Sequence, residues 1–324
     1  RAALLREGGY AGRMLDLTHP FDEAEVSRRA EAAAGTAVAL ADHNDPCTIL
    51  FTSGTTGRVK GAVLSHRNLI TGLMAVQLSG MQVLHSVARQ MNLSVETLLQ
   101  NSTQQAVLLV YPLFHISGLG SSFLSPLLAG SKVVIMRRWD AEAALRLIEA
   151  ERITMFSGVP TMLWDVLHKA KLADADLSSL RNIGSGGQAL PVQLLEAIRA
   201  ACPQAMMGTG YGMTECSGSI AQGVGEEFVR KPESAGRLLP MVDVRIEDAE
   251  GRPLPPGLPG EIVVRGAQVM GGYWNRPEDT AAVLSADGWL RTGDVGFVDD
   301  EGYVFIVDRK KDMVISGGEN IYCA

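Results

Sequence analysis

A stretch rich in glycine and hydroxyl residues offers the most distinctive chemistry in the sequence. It runs Thr52-Ser53-Gly54-Thr55-Thr56-Gly57-Arg58-Val59-Lys60-Gly61. Glycines let backbone amides converge on an anion, hydroxyl groups donate hydrogen bonds to it, and Lys60 supplies a mobile positive charge. The stretch is not a Walker A motif, because its glycine spacing differs and no Ser or Thr follows Lys60. We therefore predict a polyphosphate-binding loop between the strand at 49–52 and a helix near 67–75; the alternative is a flexible hairpin of small residues.

A second motif combines an aromatic ring, a hydroxyl group and a carboxylate within five residues. It reads Tyr211-Gly212-Met213-Thr214-Glu215. A tyrosine ring can stack on a purine, a threonine hydroxyl can bind a phosphate oxygen, and a carboxylate can hold Mg²⁺ beside it. We predict that this motif lies in a glycine-rich turn.

Four further segments carry weaker signals when each is taken alone. The segment 184–190, which contains Gly186, Gly187 and Gln188, is typical of a strand-to-helix turn. Asp294 lies in a segment typical of a tight turn with a side-chain cap. The charged residues at 308–312 are typical of a solvated linker, and His115 among apolar neighbours is typical of a core histidine. No Ser or Cys nucleophile has a plausible base beside it, so a hydrolase triad is unsupported.

The motifs lie between segments that alternate in strand and helix character. Strands are predicted at 48–52, 107–111, 132–136 and 154–156, and helices at 140–151 and 160–171. This alternation predicts a mainly parallel sheet flanked by helices in an α/β fold. The polar segment 78–105 predicts a surface helix or an insertion. After residue 240, strands at 242–247, 261–265 and 303–307 between Gly/Pro turns predict a small antiparallel, β-rich subdomain.

Length, charge and cysteine content narrow the class of protein. The 324 residues include 29 Lys and Arg against 36 Asp and Glu, a net charge of −7. This mild acidic excess argues against nucleic acid as a partner. Four scattered cysteines without a CxxC pair favour a reducing compartment over a disulfide or zinc scaffold. Because the apolar runs are too short to cross a bilayer, we expect a cytoplasmic protein with no integral membrane segment. The oligomeric state stays open.

Five of these motifs, between residues 52 and 320, resemble the signature motifs of the adenylate-forming (AMP-binding) superfamily and follow one another in the same order as in that family. They most closely resemble those of acyl-CoA synthetases and fatty-acid–CoA ligases. The resemblance implies that the loop 52–57 and Lys60 contact phosphates, and that Tyr211, Thr214 and Glu215 serve the purine, the phosphate and Mg²⁺. It further implies that the backbone of Gly186, Gly187 and Gln188 lines the adenine and the acyl pocket, and that Asp294 binds the ribose hydroxyls. Arg309 would contact the ribose or a phosphate, and Lys311 would be the hinge. His115 matches a residue near the acyl pocket and the carboxylate.

The implied reaction joins a carboxylic acid to ATP and then to coenzyme A. A carboxylate attacks the α-phosphate to give acyl-AMP and pyrophosphate, and a thiol then displaces AMP. The residues 114–128 include no acidic side chain that could balance a substrate ammonium group, which favours a fatty or aryl acid over an amino acid. A luciferase-type oxidation stays open, as do a nucleotide-binding but catalytically silent module and a P-loop phosphotransferase.

The resemblance also implies a chain shortened at both ends. Family members carry more sequence before the phosphate loop, and after the turn at 317–320 they continue into a lid with a lysine that has no counterpart before Ala324. We expect this chain to be weakly active or inactive by itself for lack of that lysine. The expected domains are an incomplete α/β core at 1–240, the β-rich subdomain at 241–307, and the hinge and lid stub at 308–324.

Overall fold

The computed structural model describes residues 42–52, 59–100, 102–168, 175–186, 191–309, 314–316 and 319–321. Apart from Asp42, these residues belong to one compact unit that runs from His43 to Ala324. Several predicted site residues lie outside the described residues, namely Ser53, Gly54, Thr55, Thr56, Gly57, Gly187, Gln188 and Lys311. Arg309 is described as a strand residue, without its side chain.

The described residues form strands and helices along most of their length. In chain order the strands are β1 (Pro46–Thr52), β2 (Lys60–Ser65), β3 (Ala106–Leu109), β4 (Lys132–Ile135), β5 (Met155–Gly158), β6 (Asn182–Gly186), β7 (Met206–Met213), β8 (Gly218–Val224), β9 (Arg237–Leu238), β10 (Asp243–Glu247), β11 (Gly260–Arg265), β12 (Gly272–Tyr273), β13 (Leu290–Val298), β14 (Val304–Arg309), β15 (Val314–Ser316) and β16 (Glu319–Ile321). The helices are α1 (His66–Gln90), α2 (Val95–Gln100), α3 (Ser125–Leu128), α4 (Ala141–Ala150), α5 (Pro160–His168), α6 (Val192–Ala201), α7 (Glu226–Arg230) and α8 (Pro277–Val283). A π-helical segment, Ser117–Leu124, leads into α3.

A seven-stranded sheet forms the α/β part, in the order β4-β3-β5-β6-β7-β8-β9. Neighbours from β4 to β7 are parallel, whereas β8 and β9 are antiparallel. One apolar core joins this sheet to its helices, with Leu108, Phe156 and Ile183 from strands packed with Ile148 and Leu194 from helices. The predicted α/β class with a mainly parallel sheet is confirmed.

A separate four-stranded antiparallel sheet, in the order β10-β11-β13-β14, lies in the region predicted to be β-rich. A third sheet, in the order β1-β2-β12, joins residues from both sides of the predicted boundary near 240. The α/β core at 1–240 and the β-rich subdomain at 241–307 therefore stay predictions as domain boundaries. The strand β14 also continues past 307.

The segment 78–105, predicted as a surface helix or insertion, contains the end of α1 and all of α2. The helix α1 begins with a capping box: the Ser65 hydroxyl accepts from the Asn68 amide while the Asn68 side chain accepts from the Ser65 amide. The Asn68 side-chain amide also donates to the carbonyls of Ala267 and Val269 at 2.8 and 2.7 Å. The start of α1 is thereby tied to a segment about 200 residues further along the chain.

Two segments predicted to be loops or turns are parts of strands in the structure. In both, a glycine that suggested a turn serves close packing within a sheet instead. Lys60 and Gly61 begin β2, which pairs with β1 and was not predicted. A Cβ on Gly61 would lie 2.7 Å from Ile49 Cγ2, so this glycine permits close cross-strand packing. Gly212 belongs to β7, and a Cβ there would lie 2.0 Å from the Gly218 carbonyl oxygen. Close packing, against side chains at Gly61 and against backbone at Gly212, explains these glycines; sequence alone does not distinguish it from turn formation.

Candidate nucleotide site

Thr214 and Glu215 lie in a single 3-10 turn, Thr214–Cys216, that connects β7 to β8. Both side chains are buried, with relative exposures of 7% and 6%. Ser217 ends the turn in a left-handed conformation, with φ of 54°, and its hydroxyl donates to the Gln268 carbonyl at 2.8 Å. This bond helps to hold a backbone conformation that is uncommon for a residue with a side chain.

Tyr211 and Asp294, predicted to contact the purine and the ribose, meet in the structure. The Tyr211 hydroxyl donates to Asp294 Oδ2 at 2.8 Å across 83 residues of sequence. Burial and then the neighbouring Asp294 carboxylate raise the pKa of Tyr211 well above its ordinary value, so this hydroxyl stays protonated and continues to donate.

Asp294 lies within β13 rather than in the predicted tight turn. Its backbone amide donates to the Thr292 hydroxyl at 3.1 Å, and that hydroxyl donates to the Ile262 carbonyl at 2.8 Å. The backbone of Arg309 on β14 lies directly opposite Asp294. The antiparallel pairing thus brings the two predicted ribose-side residues to adjacent positions.

Lys60 lies at the start of β2, opposite Thr52 at the end of β1. Its side chain is 8% exposed, and Nζ forms an ion pair with Asp279 Oδ1 at 2.6 Å. Nζ also lies 5.2 Å from the centre of the Tyr273 ring, within cation–π range. The lysine is therefore held at the base of the β1–β2 hairpin, whereas the sequence predicted a mobile charge within the loop.

Gly186 ends β6, next to Gly210 on β7, and faces a residue that the sequence analysis did not single out. The Tyr111 hydroxyl lies 3.7 Å from the position that a Cβ on Gly186 would take. Burial raises the pKa of Tyr111 to about 12, and the Gly186 backbone reduces the shift. A larger residue at 186 would contact this phenol.

His115 is exposed and lies on the loop that follows β3. Its ring Nδ1 accepts from the Ser117 amide at 3.2 Å, and its backbone bonds to Pro112 and Leu119. These bonds place His115 within its own loop rather than in the apolar core. Its predicted role near the acyl pocket stays a prediction.

The oxygen donors at the turn fit Mg²⁺, which prefers hard oxygen ligands and shares them with substrate phosphates. Glu215 is a buried carboxylate whose Oε1 accepts from the Tyr273 hydroxyl at 2.8 Å, and the Thr214 hydroxyl is adjacent in sequence. Within the part of the chain that the structure describes, no group of three or more His, Cys, Asp or Glu side chains could hold a metal. A single carboxylate at this turn is compatible with a magnesium ion that arrives with a nucleotide.

Tyr273 and Asp279 were missed by the sequence analysis, although both contact predicted site residues. The available signal was Gly271-Gly272-Tyr273-Trp274, where two glycines precede two aromatic residues. No periodicity or spacing connects this segment to Lys60 or Glu215, because the contacts depend on the pairing of β12 with β2.

The family of the chain follows from the match of its sequence over residues 9–274 to the family described as AMP-binding enzyme. The chain belongs to this family, and the predicted membership of the adenylate-forming superfamily is confirmed. In the described residues, no helix is long and apolar enough to cross a membrane.

Several relatives are CoA ligases by name. Feruloyl-CoA synthase of Amycolatopsis sp is 42% identical over 281 residues, which are 87% of this chain and 53% of that protein. Indoleacetate–CoA ligase of Aromatoleum aromaticum is 40% identical over 86% of this chain and 50% of that protein. The chain thus spans about half the length of these curated relatives.

Solved structures agree with this membership. The o-succinylbenzoate CoA synthetase of Bacillus subtilis, in complex with ATP and magnesium ion, superposes with a TM-score of 0.72 and 31% identity. The match covers 93% of this chain and 60% of that one.

Proposed function

We propose that this chain forms the nucleotide-binding body of an AMP-forming acid–thiol ligase. The observation that carries the proposal is the Tyr211–Asp294 hydrogen bond, which brings the predicted purine and ribose residues together next to the turn of Thr214 and Glu215. The family match and the CoA ligases among the relatives support the same reaction class.

The proposed reaction has two steps, and the first requires no general base on the protein. A substrate carboxylate, already ionised at neutral pH, attacks the α-phosphorus of ATP; an O–P bond forms and pyrophosphate leaves. The sulfur of coenzyme A then attacks the acyl carbon, AMP leaves, and the thiol proton passes to solvent. When bound, Mg²⁺ would neutralise phosphate charge.

The residues of this chain contribute mainly by position and charge. Glu215 and Thr214 would hold the metal and a phosphate oxygen, and Lys60 would add positive charge opposite Thr52, the first residue of the predicted phosphate loop. Tyr211 would lie against the purine, and Asp294 would accept from the ribose hydroxyls. Gly187, Gln188, Arg309, Lys311 and His115 keep their predicted roles as part of this proposal.

For the acid, we propose an aryl carboxylate rather than a long-chain fatty acid. The relatives named for feruloyl, indoleacetate and 4-coumarate substrates support this choice; the lack of acidic residues at 114–128 argues only against an amino acid. A protein of this kind would work in the cytoplasm with coenzyme A and a small acid as its partners.

The test is carboxylate-dependent ATP–pyrophosphate exchange with ferulate, 4-coumarate, indoleacetate and a series of fatty acids. The assay is run on this chain and on a longer form that carries the lid lysine of the family. We expect the longer form to exchange with at least one aryl acid and this chain to exchange weakly or not at all; Glu215→Ala should lose Mg²⁺-dependent ATP binding. Glu226→Ala, an exposed glutamate on α7, is the control and should bind ATP normally. ATP binding without exchange for any acid would favour the catalytically silent module; exchange with fatty acids alone would refute the aryl assignment.

A further inference from the structure

The segment 268–274, called here the bridging segment, lies along the strand that carries Lys60. Its Gly271 amide donates to the Val63 carbonyl at 3.1 Å, and its Trp274 amide donates to the Gly61 carbonyl at 2.8 Å. These bonds flank the short strand β12, which pairs with β2. The bridging segment is therefore fixed to the base of the hairpin next to Lys60.

The same segment is also bonded to the turn that carries Glu215. The Met270 amide donates to the backbone carbonyl of Glu215 at 2.8 Å, and the Gln268 carbonyl accepts from the Ser217 hydroxyl at 2.8 Å. The bridging segment thus connects the hairpin that carries Lys60 with the turn that carries Glu215.

Tyr273 contacts both charged groups with one side chain. Its hydroxyl donates to Glu215 Oε1 at 2.8 Å, and its ring lies 5.2 Å from Lys60 Nζ. The Tyr273 amide donates to the Thr280 hydroxyl at 2.9 Å, one residue after Asp279, the ion-pair partner of Lys60. The strand β12 and the helix α8 therefore hold Tyr273 and Asp279 together against Lys60.

We propose, on the basis of the proposed function, that Tyr273 is a positioning residue that orients Glu215 toward the Mg²⁺–nucleotide. By engaging Oε1, the hydroxyl restricts rotation of the carboxylate and leaves Oε2 to the metal. Groups that orient a metal ligand in this way typically change metal affinity or activity by about 10-fold to 100-fold when they are removed. The ring has a second and separable task, which is to seat the Lys60 ammonium beside Asp279.

The two tasks are separated by Tyr273→Phe, which removes the hydroxyl and keeps the ring. ATP binding at equilibrium is measured by calorimetry, once with excess Mg²⁺ and once with EDTA, with no acid present and therefore without turnover. We expect the Mg²⁺-dependent gain in ATP affinity to fall by about 10-fold. The ATP affinity in EDTA should stay unchanged, because the phenylalanine ring keeps the contact with Lys60.

The matched control is Tyr303→Phe, which removes another buried tyrosine hydroxyl from the same fold. This variant should change the ATP affinity neither with Mg²⁺ nor with EDTA. Circular dichroism should show that both variants are folded. An unchanged Mg²⁺ effect in Tyr273→Phe would overturn the inference alone, as would equal losses with Mg²⁺ and with EDTA, which indicate a general structural role. A wild-type protein that binds no ATP, or binds it without any Mg²⁺ effect, would overturn the proposed function and this inference together.

Discussion

Both main sheets bury apolar side chains, but the four-stranded sheet buries charged ones as well. The seven-stranded sheet packs apolar residues, such as Leu108 at 1% exposure and Phe156 at 2%, against its helices. The four-stranded sheet buries two glutamates, Glu247 and Glu261, directly opposite each other on β10 and β11. A single arginine on the next strand, Arg291, contacts both.

The charged cluster of the four-stranded sheet continues over its surface. Arg291 contacts Glu247 at 2.5 Å and Glu261 at 2.7 Å. Arg245 adds a second contact to Glu247 at 2.6 Å, and its guanidinium lies over the Trp289 ring. Two like charges side by side on a sheet repel. The arginines therefore stabilise the buried glutamates by offsetting this repulsion.

This difference bears on the site because the two sheets carry different parts of it. The strand β7 leads into Thr214 and Glu215, whereas β13 carries Arg291 and, three residues later, Asp294. The turn of Thr214 and Glu215 and the strand that carries Asp294 share one apolar cluster, which includes Cys216, Ile262 and Leu290. Variants that remove a charge should therefore act on the four-stranded sheet, whereas the core of the seven-stranded sheet should respond to changes of volume.

The largest effect is expected from Arg291→Met, which removes the cation shared by two buried carboxylates. Because Arg291 is itself 39% exposed and Arg245 stays beside Glu247, the cost should be smaller than for a fully buried pair, about 1–3 kcal/mol of unfolding free energy, measured by urea denaturation at pH 7. Arg146→Met is the control, because Arg146 is exposed and lies 3.8 Å from Glu142 on the same helix; its cost should stay within about 0.5 kcal/mol. Equal costs for the two variants would refute the comparison.

A smaller effect is expected from Ile148→Val in the apolar core of the seven-stranded sheet. Ile148 is fully buried, and loss of one methylene there should cost about 0.5–1.5 kcal/mol. The loss should be the same at pH 5 and pH 7, because no charged group is involved. Ile135→Val, at a 58% exposed position on the edge strand β4, should have almost no effect. A cost that varied with pH would contradict the assignment of this region to packing alone.

The smallest loss of unfolding free energy is expected from Lys231→Met, and this loss should disappear at acid pH. Lys231 bonds to Asp299 and Glu301 at the β13–β14 hairpin. Burial raises the pKa of Asp299, but the hydrogen bonds from Lys231 and from the Tyr303 and Glu301 amides together leave it below its ordinary value. The Lys231 hydrogen bond also lowers the pKa of Glu301.

The direction of the pH effect follows from these lowered values. A carboxylate with a lowered folded-state pKa adds stability above its unfolded pKa and loses it as the pH falls through the folded value. The difference between wild type and Lys231→Met should therefore be full at pH 7 and disappear at acid pH, in urea titrations across that range. In an Asp299→Asn, Glu301→Gln background the same substitution should show no pH-dependent effect; a difference that persisted there would assign it to another group.

The sequence predicted several elements of the α/β part, because strand and helix periodicity is a local property. The helix predicted at 140–151 is α4, with Asp140 accepting from the Ala143 amide as its N-cap. Missing from the prediction were β2, β12 and β13, and the strands β6 to β9 of the large sheet. Glycine was interpreted as a turn signal at Gly61 and Gly212, where the reason for it is close approach, of cross-strand side chains at Gly61 and of backbone at Gly212.

The sequence by itself determined the family, the order of the motifs and the residue types available for phosphate, purine and metal contacts. Only the tertiary structure decided which residues meet: Tyr211 with Asp294 across 83 positions, and Glu215 with Tyr273 across 58. It also decided that Lys60 is paired with Asp279 rather than free. Local propensity sets the elements, but contacts between distant residues depend on strand order and register, which bring the chain together only once the sheets have formed.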